Sequence, residues 1–170
     1  KLYIQNTTVQ SIYVTTNASL PDRVEEFAKE IIEIAKLYIK NTTIQSIYVT
    51  TNASLPDRVA DFAKTITNFD KNIELTFQIS IDDMPQEHDR VRKIRNLFQN
   101  CLDTYKRLKK IDPRVNPVVS ITVNHENCEN IEKIFEYLTN ECEVESIKCT
   151  IVRDEGVYKT PDKKKKTIFE

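Results

Sequence analysis

Residues 73–92 read "IELTFQISIDDMPQEHDRVR", and this stretch decides the fold prediction. Apolar and polar residues alternate as far as Ser80, which predicts a β-strand. Asp82 and Asp83 follow directly, and a charged helix is predicted to begin at Glu87. A strand that runs through a polar turn into a helix is the building unit of α/β proteins.

The same unit recurs along the chain. Further strands are predicted at 11–16, 46–51, 118–123 and 146–153, and helices at 24–40, 87–110 and 127–141. Strands that alternate with helices in this way pair in parallel through right-handed crossovers. The predicted class is α/β, with five strands in an open sheet or in an arc of a (β/α) barrel.

The first strand–helix unit is present twice. Residues 1–29 and 36–64 match at 25 of 29 positions. A solenoid needs about three repeats or more, so two copies do not predict one. We therefore divide the chain into a duplicated copy at 1–35, a partial barrel at 36–158 and the start of a C-terminal extension at 159–170.

Composition excludes several classes of protein. The net charge is −1, and no basic stripe or aromatic platform suggests nucleic-acid binding. No apolar run approaches the roughly 20 residues that cross a bilayer, and the sequence begins with no apolar export signal. The sequence therefore predicts a cytoplasmic protein that binds neither nucleic acid nor membrane.

Glycine and cysteine narrow the chemistry further. Gly156 is the single glycine, which excludes both glycine-rich nucleotide loops. The four cysteines contain no CxxC pair, so neither zinc nor iron–sulfur spacing is present. We expect buried thiols at Cys101, in a predicted helix, and at Cys149, in a predicted strand.

Polar side chains follow the predicted strands where each one ends. Parallel sheets with helical crossovers bind ligands at the carboxyl ends of their strands. We call this edge the rim; its predicted members are Thr50, Thr51, Asn52, Ser80, Asp82, Asn124, His125, Arg153 and Asp154.

Three segments together resemble a known family. "IYVTTNASLP", "FQISIDDMPQEHDRVR" and "VSITVNHEN" are similar to the third, fourth and fifth strands of radical SAM enzymes. Those strands often read TNG, then SIDG with HDxxRG, then an Asn-containing turn. The resemblance covers about residues 32–157 and implies a partial (β/α) barrel. For the complete protein it implies a [4Fe–4S] cluster that cleaves S-adenosylmethionine (AdoMet) to a 5′-deoxyadenosyl radical.

The resemblance implies cofactor contacts for five residues. Ser80 would donate a hydrogen bond to the ribose or amino-acid part of AdoMet, and Arg92 would meet its carboxylate or ribose. Asn52 matches the Asn of TNG and Asn124 the polar end of the fifth strand. Asp82, in the SIDG segment, completes the cofactor set or fixes the loop.

A substrate side is implied as well. The pair His88 and Asp89 would line it or fix the loop, and Arg153 would contribute from the end of the last strand. The radical would abstract hydrogen from a small molecule or peptide whose identity this part of the chain does not specify.

The sequence also departs from the family pattern. The CxxxCxxC loop for the cluster and the GGE-type motif of the second strand are absent. Ala53, Asp83 and Lys93 stand where the family has glycine. We therefore expect a fragment of a radical SAM enzyme that does not perform radical chemistry as an isolated chain.

Two alternatives stay open. One is a cluster-less binding module or pseudoenzyme, and the other is a metal-dependent barrel hydrolase with ligands among Asp82, Asp83, His88 and His125. Helix capping explains the same residues without a metal. In every case an incomplete barrel leaves sheet edges uncovered, which predicts self-association.

Overall fold

The computed structural model of the protein describes residues 11–16 and 24–152. They form five strands and five α-helices, with a 3₁₀ turn at Cys128–Asn130. The strands are β1 (Ser11–Thr16), β2 (Ser46–Thr51), β3 (Glu74–Ser80), β4 (Val115–Val123) and β5 (Ile147–Ile151). The helices are α1 (Val24–Asn41), α2 (Pro56–Phe69), α3 (Pro85–Arg92), α4 (Leu97–Leu108) and α5 (Ile131–Asn140).

All five strands pair in parallel, in the order β1-β2-β3-β4-β5. The order in the sheet is the order in the chain, because each crossover helix returns the chain to the next position along one edge. The prediction of an α/β fold with parallel strands is confirmed.

One face of the sheet forms the core. The alternation within β2, β3 and β4 directs every second side chain toward the helices, and these side chains are buried. Phe77, at the centre of β3, is fully buried and meets the ring of Phe62 from α2 edge to face, with ring centroids 6.1 Å apart. The other buried strand residues are Ile47, Val49, Thr51, Leu75, Ile79, Val115, Pro117, Val119 and Ile121.

β4 contains a proline that its position in the sheet explains. Pro117 is opposite Phe77 of β3 and is buried. Ser120 accepts from the Ile81 N–H on the β3 side, whereas Val119 donates to Ser146 on the β5 side. Backbone groups alternate between the two sides of a strand, so residue 117 faces the same side as Val119, toward β5. The missing N–H of Pro117 breaks no bond there, because β5 begins to pair only at Val119. The strand thus starts before the predicted residue 118.

The prediction of one long helix at 87–110 is wrong, since two helices occupy this range. α3 ends at Arg92 and α4 begins at Leu97, because Lys93 and Asn96 have left-handed φ angles of 56° and 58°. Asp89 accepts a hydrogen bond from the Phe98 N–H at 2.8 Å and so caps the new helix. Val91, near the end of α3, is 42% exposed.

The cysteines follow the predictions only in part. Cys101 is fully buried as expected, and the four cysteines form no disulfide within the described residues. Cys149 is exposed, contrary to the prediction, because β5 is an edge strand of the described sheet and its side chains remain open to solvent. Within residues 11–16 and 24–152, no helix has the length and apolarity needed to cross a membrane.

Candidate functional site

Asp82, just after β3, links the ends of two strands. Its Oδ1 accepts from the Thr122 N–H of β4 at 3.1 Å, so the carboxylate extends the backbone ladder beyond the last residue of β3. Its own carbonyl accepts from the Asn127 side chain at 2.7 Å. The polar turn seen in the sequence is therefore a joint between β3 and β4.

Asp82 also forms an ion pair with Arg92. The Arg92 Nε and Nη2 atoms both donate to Asp82 Oδ2. The Asp82 side chain is 15% exposed and that of Arg92 is 34% exposed. Screening by solvent is therefore reduced but not removed. The pair holds α3 against the end of β3 and leaves the Arg92 Nη1 group as an additional donor.

His88 lies beneath this turn. It is 1% exposed, and its Nδ1 accepts from the Asp82 N–H at 3.3 Å. Nδ1 must therefore be unprotonated and Nε2 must bear the proton. Nε2 finds no partner within the described residues. Burial lowers the pKa of His88 from its ordinary value of 6.5, and this outweighs the opposing effect of Asp82.

Asn127 is a member of the site that the sequence did not reveal. It is buried, and its amide donates to the Asp82 carbonyl and, at 3.0 Å, to the Thr122 carbonyl. Its oxygen accepts from the Asn124 N–H at 2.8 Å. Asn124 itself closes a tight turn by accepting from the Glu126 N–H at 2.7 Å. Asn124 thus shapes the loop after β4, and Asn127 joins it to β3.

The loop after β2 rests on α4. Asn52 orders the loop locally, because its Oδ1 accepts from the N–H and the hydroxyl of Ser54. The Asn100 amide donates to the Ser54 carbonyl at 3.2 Å, and the Thr104 hydroxyl reaches the Ala53 carbonyl at 3.5 Å. Side chains from one face of α4 therefore hold the turn that carries Asn52.

Cys101, on the same helix, lies between two strand ends. Its sulfur is 3.3 Å from the Asn52 carbonyl and 3.7 Å from the Ser80 carbonyl. Burial raises the pKa of the thiol to about 12. The thiol thus stays protonated and donates weakly to these carbonyls, a structural role that excludes it as a nucleophile at neutral pH.

Two positions where the resembled family has glycine keep the backbone that glycine favours. Ala53, which replaces the Gly of TNG, has φ 52°, and Lys93, which follows HDxxR, has φ 56°. Non-glycine residues pay a steric cost in this region. Both residues therefore adopt a backbone conformation that glycine would adopt at lower cost.

The face of the sheet opposite the core is polar near the rim. Ser80 is directly opposite Ser120, and Gln78 and Thr122 belong to the same face. All four residues are half-buried, and their side chains make no hydrogen bond to any other described residue. Partly desolvated donors and acceptors of this kind are suited to a polar ligand. We call these four residues the open face.

The described residues provide no suitable ligand set for a metal ion or an iron–sulfur cluster. Within the described part of the chain, no group of three or more His, Cys, Asp or Glu side chains could hold a metal ion. The four cysteines lie in different parts of the fold, in α4, in the 3₁₀ turn, after the end of α5 and in β5, and Cys101 and Cys142 are buried. A [4Fe–4S] cluster requires converging thiolates, so these residues do not fit one.

The structure brings most of the predicted site residues together. Contacts connect Asn52 to Ser80 through Cys101, and Asp82 to Asn124 through Asn127. Of the other residues assigned to the cofactor or substrate side, Arg92 and His88 contact Asp82, Asp89 caps α4 instead of facing the rim, and Arg153 lies outside the described residues.

Solved structures with this fold include those of anSMEcpe, a radical SAM enzyme. Native anSMEcpe with bound AdoMet and Kp18Cys peptide has a TM-score of 0.59 and 16% identity over 94% of this chain. Native anSMEcpe with bound AdoMet has a TM-score of 0.60 and 16% identity over 93% of this chain. No family model and no curated protein matches the sequence.

The matched structures are more than twice as long as the part that this chain covers. The chain spans 45% of the first of these structures and 43% of the second. The comparison shows that the described sheet and helices have the fold of part of a radical SAM enzyme, as the sequence resemblance predicted.

Proposed function

We propose that this chain forms the AdoMet-binding side of a radical SAM barrel. The observation that carries the proposal is the unpartnered open face at Ser80 and Ser120, beside the Asp82–Arg92 ion pair. This polar surface is at the carboxyl ends of parallel strands, where such folds bind ligands. Two solved structures with the same fold contain AdoMet.

In this proposal Ser80 donates its hydroxyl to the ribose or amino-acid part of AdoMet. Arg92 offers a guanidinium N–H to the AdoMet carboxylate while Asp82 holds the side chain in place. Asn52 and Asn124 shape the flanking loops through the turns described above. His88 and Asp89 fix the loop from below, and Arg153 remains a substrate-side proposal.

The reaction belongs to a larger protein in this proposal. A [4Fe–4S] cluster would supply the electron for AdoMet cleavage, and the cysteines of this chain do not fit one. A complete enzyme therefore needs cluster ligands from outside the present sequence. Because the anSMEcpe structure includes a peptide, a peptide is the first substrate class to test.

AdoMet binding by the chain itself is the decisive test. We expect isothermal titration calorimetry to detect binding of AdoMet and of S-adenosylhomocysteine, which has the same ribose and carboxylate. Ser80→Ala should weaken both by about two- to tenfold, the loss expected for one hydrogen bond. Arg92→Lys should weaken them as well, because lysine does not reproduce the planar fork.

Ser46→Ala is the matched control. Ser46 is also a half-buried strand serine, but it begins β2, at the opposite end of the sheet. Its removal should leave AdoMet affinity unchanged. Absence of binding, or equal effects of Ser46→Ala and Ser80→Ala, contradicts the proposed site.

The second candidate is a binding module that uses the same surface without radical chemistry. The misfit between the cysteines and a cluster favours it for the isolated chain. It predicts nucleoside binding that does not depend on iron, sulfide or reductant. Both candidates predict AdoMet binding by the isolated chain, so formation of 5′-deoxyadenosine by a longer protein that contains this chain and a cluster would favour the radical enzyme, and its absence would favour the binding module.

A further inference from the structure

β1 and β2 have the same sequence and pair with each other. Every residue of SIYVTT is opposite its own copy, from Ser11 with Ser46 to Thr16 with Thr51. The rings of Tyr13 and Tyr48 stack with centroids 5.0 Å apart and an interplanar angle of 14°. Parallel, in-register pairing of identical short segments is the arrangement that builds cross-β assemblies. One edge of β2 is thus a binding site for SIYVTT.

The outer edge of β1 repeats that binding site. The Glu74 N–H of β3 donates to the Gln45 carbonyl, so residues of odd number in β2 direct their backbone groups to β3. By alternation, Ser46 and Tyr48 direct theirs to β1. Their copies Ser11 and Tyr13 therefore direct their backbone groups away from β2, to the outer edge.

Within the described residues, this edge lacks the charged and proline positions that usually prevent strand addition. SIYVTT contains no charged residue, proline or glycine. Tyr13 is 75% exposed, and β2 is the only neighbour of β1 among the described strands. A further SIYVTT strand would find the same backbone spacing and the same tyrosine ring that β1 finds on β2.

We propose that the outer edge of β1 binds the SIYVTT segment of a second copy of this chain, in parallel and in register. The incoming strand is the β1 segment of the second copy, and it binds through the same edge that normally pairs with its own β2. The second copy must therefore first release its β1 from its β2. Release opens the second copy's β2 edge, which then accepts β1 from a third copy. The contact is heterologous, and it produces growing assemblies instead of closed dimers.

The test uses the full chain and a fluorescent peptide of residues 9–18. One version of the peptide is N-methylated at Tyr13, whose N–H faces away from the chain once the peptide is bound, so the methyl group blocks the addition of further strands. Fluorescence anisotropy should show saturable binding of this peptide, with one peptide per chain. N-methylation at Val14 removes a bond to the β1 edge. It should weaken binding by about tenfold or more.

The same peptides test whether a second copy is the natural occupant. Sedimentation velocity should show concentration-dependent growth of the chain, and the peptide methylated at Tyr13 should suppress it. The peptide methylated at Val14 should not suppress it. Equal binding of the two methylated peptides would overturn the proposal, as would growth that neither peptide changes.

A chain variant distinguishes the outer edge of β1 from exchange at β2. Tyr13→Pro removes an outward N–H while leaving the bonds of Ile12 and Val14 to β2 in place. Circular dichroism checks that it folds, and peptide binding should be lost. Undiminished binding to this folded variant would show exchange at β2 and contradict the proposal. None of these readouts depends on AdoMet, so the proposed function can fail independently.

Discussion

Asp82 shows how one side chain can define a site without facing a ligand. Both carboxylate oxygens and both backbone groups of Asp82 are hydrogen-bonded, to partners from β4, α3 and the loop after β4. Such a residue positions others, because it has little remaining capacity to bind a cofactor itself. The residues free to contact a ligand are its neighbours on the open face.

His88 makes stability depend on pH. The unfolded chain protonates His88 near its ordinary pKa of 6.5, whereas the buried side chain takes up a proton only at lower pH. Its contribution is therefore fully present above pH 6.5 and is lost as the pH falls toward the folded pKa. We expect the free energy of unfolding, measured with urea, to decrease from about pH 7 to about pH 5.

His88→Asn keeps an acceptor for the Asp82 N–H and removes the titrating ring. The variant should lose less stability over the same pH range than the original chain. His125→Asn, at a partly exposed histidine, is the control and should retain the full pH dependence. A slope unchanged in His88→Asn but reduced in His125→Asn would show that the assignment is wrong.

Lys93 carries a steric cost that glycine would remove. Its φ of 56° lies in the left-handed region, which costs an L-residue roughly 1–2 kcal/mol. Glycine offsets part of that gain through its freedom in the unfolded chain. We expect Lys93→Gly to raise the free energy of unfolding by about 0.5–1 kcal/mol in urea titrations.

Lys64→Gly is the matched control for this substitution. Lys64 is exposed within α2, where glycine should reduce the free energy of unfolding by about 1 kcal/mol. The two substitutions exchange the same residue types, so their opposite signs would depend only on the local backbone. Destabilisation by both would rule out steric relief at Lys93.

At the scale of elements, the break between α3 and α4 depends on Asp89. Its bond to the Phe98 N–H satisfies one of the first N–H groups of α4. Asn96, the residue before the helix, makes no side-chain cap. We expect Asp89→Ala to lower the free energy of unfolding by about 0.5–2 kcal/mol, measured by urea denaturation.

Asp103→Ala is the matched control, because it also replaces aspartate with alanine but at a position that caps no helix. Asp103 is in α4 and pairs only on the surface with Arg107, so its loss should cost less than about 0.5 kcal/mol. Asp89→Asn should retain most of the stability, because asparagine also caps helices. Equal losses in Asp89→Ala and Asp103→Ala would contradict a capping role.

The sequence predicted elements better than it predicted contacts. The strands were found because Phe77 and its neighbours alternate with polar residues, and this local pattern survives in the fold. The break at Lys93 was missed because lysine favours helices, and the glycine of the resembled pattern at this position was the one signal for a positive φ. The bridging roles of Asn127 and Cys101 depend on distant partners, so no local pattern could reveal them.

At the scale of the whole molecule, the placement of the cysteines governs cofactor assembly. Burial keeps Cys101 protonated, and burial also raises the pKa of Cys142, so neither is a ready thiolate. We expect iron and sulfide reconstitution of the isolated chain to yield no [4Fe–4S] absorbance. The chain should bind no more iron than a variant with all four cysteines changed to serine.

A fully loaded chain would contradict this expectation. About four irons per chain, lost in the serine variant, would mean that the cysteines converge in solution. Formation of 5′-deoxyadenosine from AdoMet by the same sample would extend the contradiction to the chemistry. Chromatographic analysis of the reaction products detects that nucleoside directly.

The identity between strand order and chain order has a consequence for synthesis on the ribosome. Each strand pairs with the strand made just before it, so no strand waits for a partner still to be translated. A nascent chain can thus add one strand and one helix at a time to an existing edge. An extra strand–helix unit, such as the repeated one, then enters as one more step of translation and leaves every later pairing unchanged.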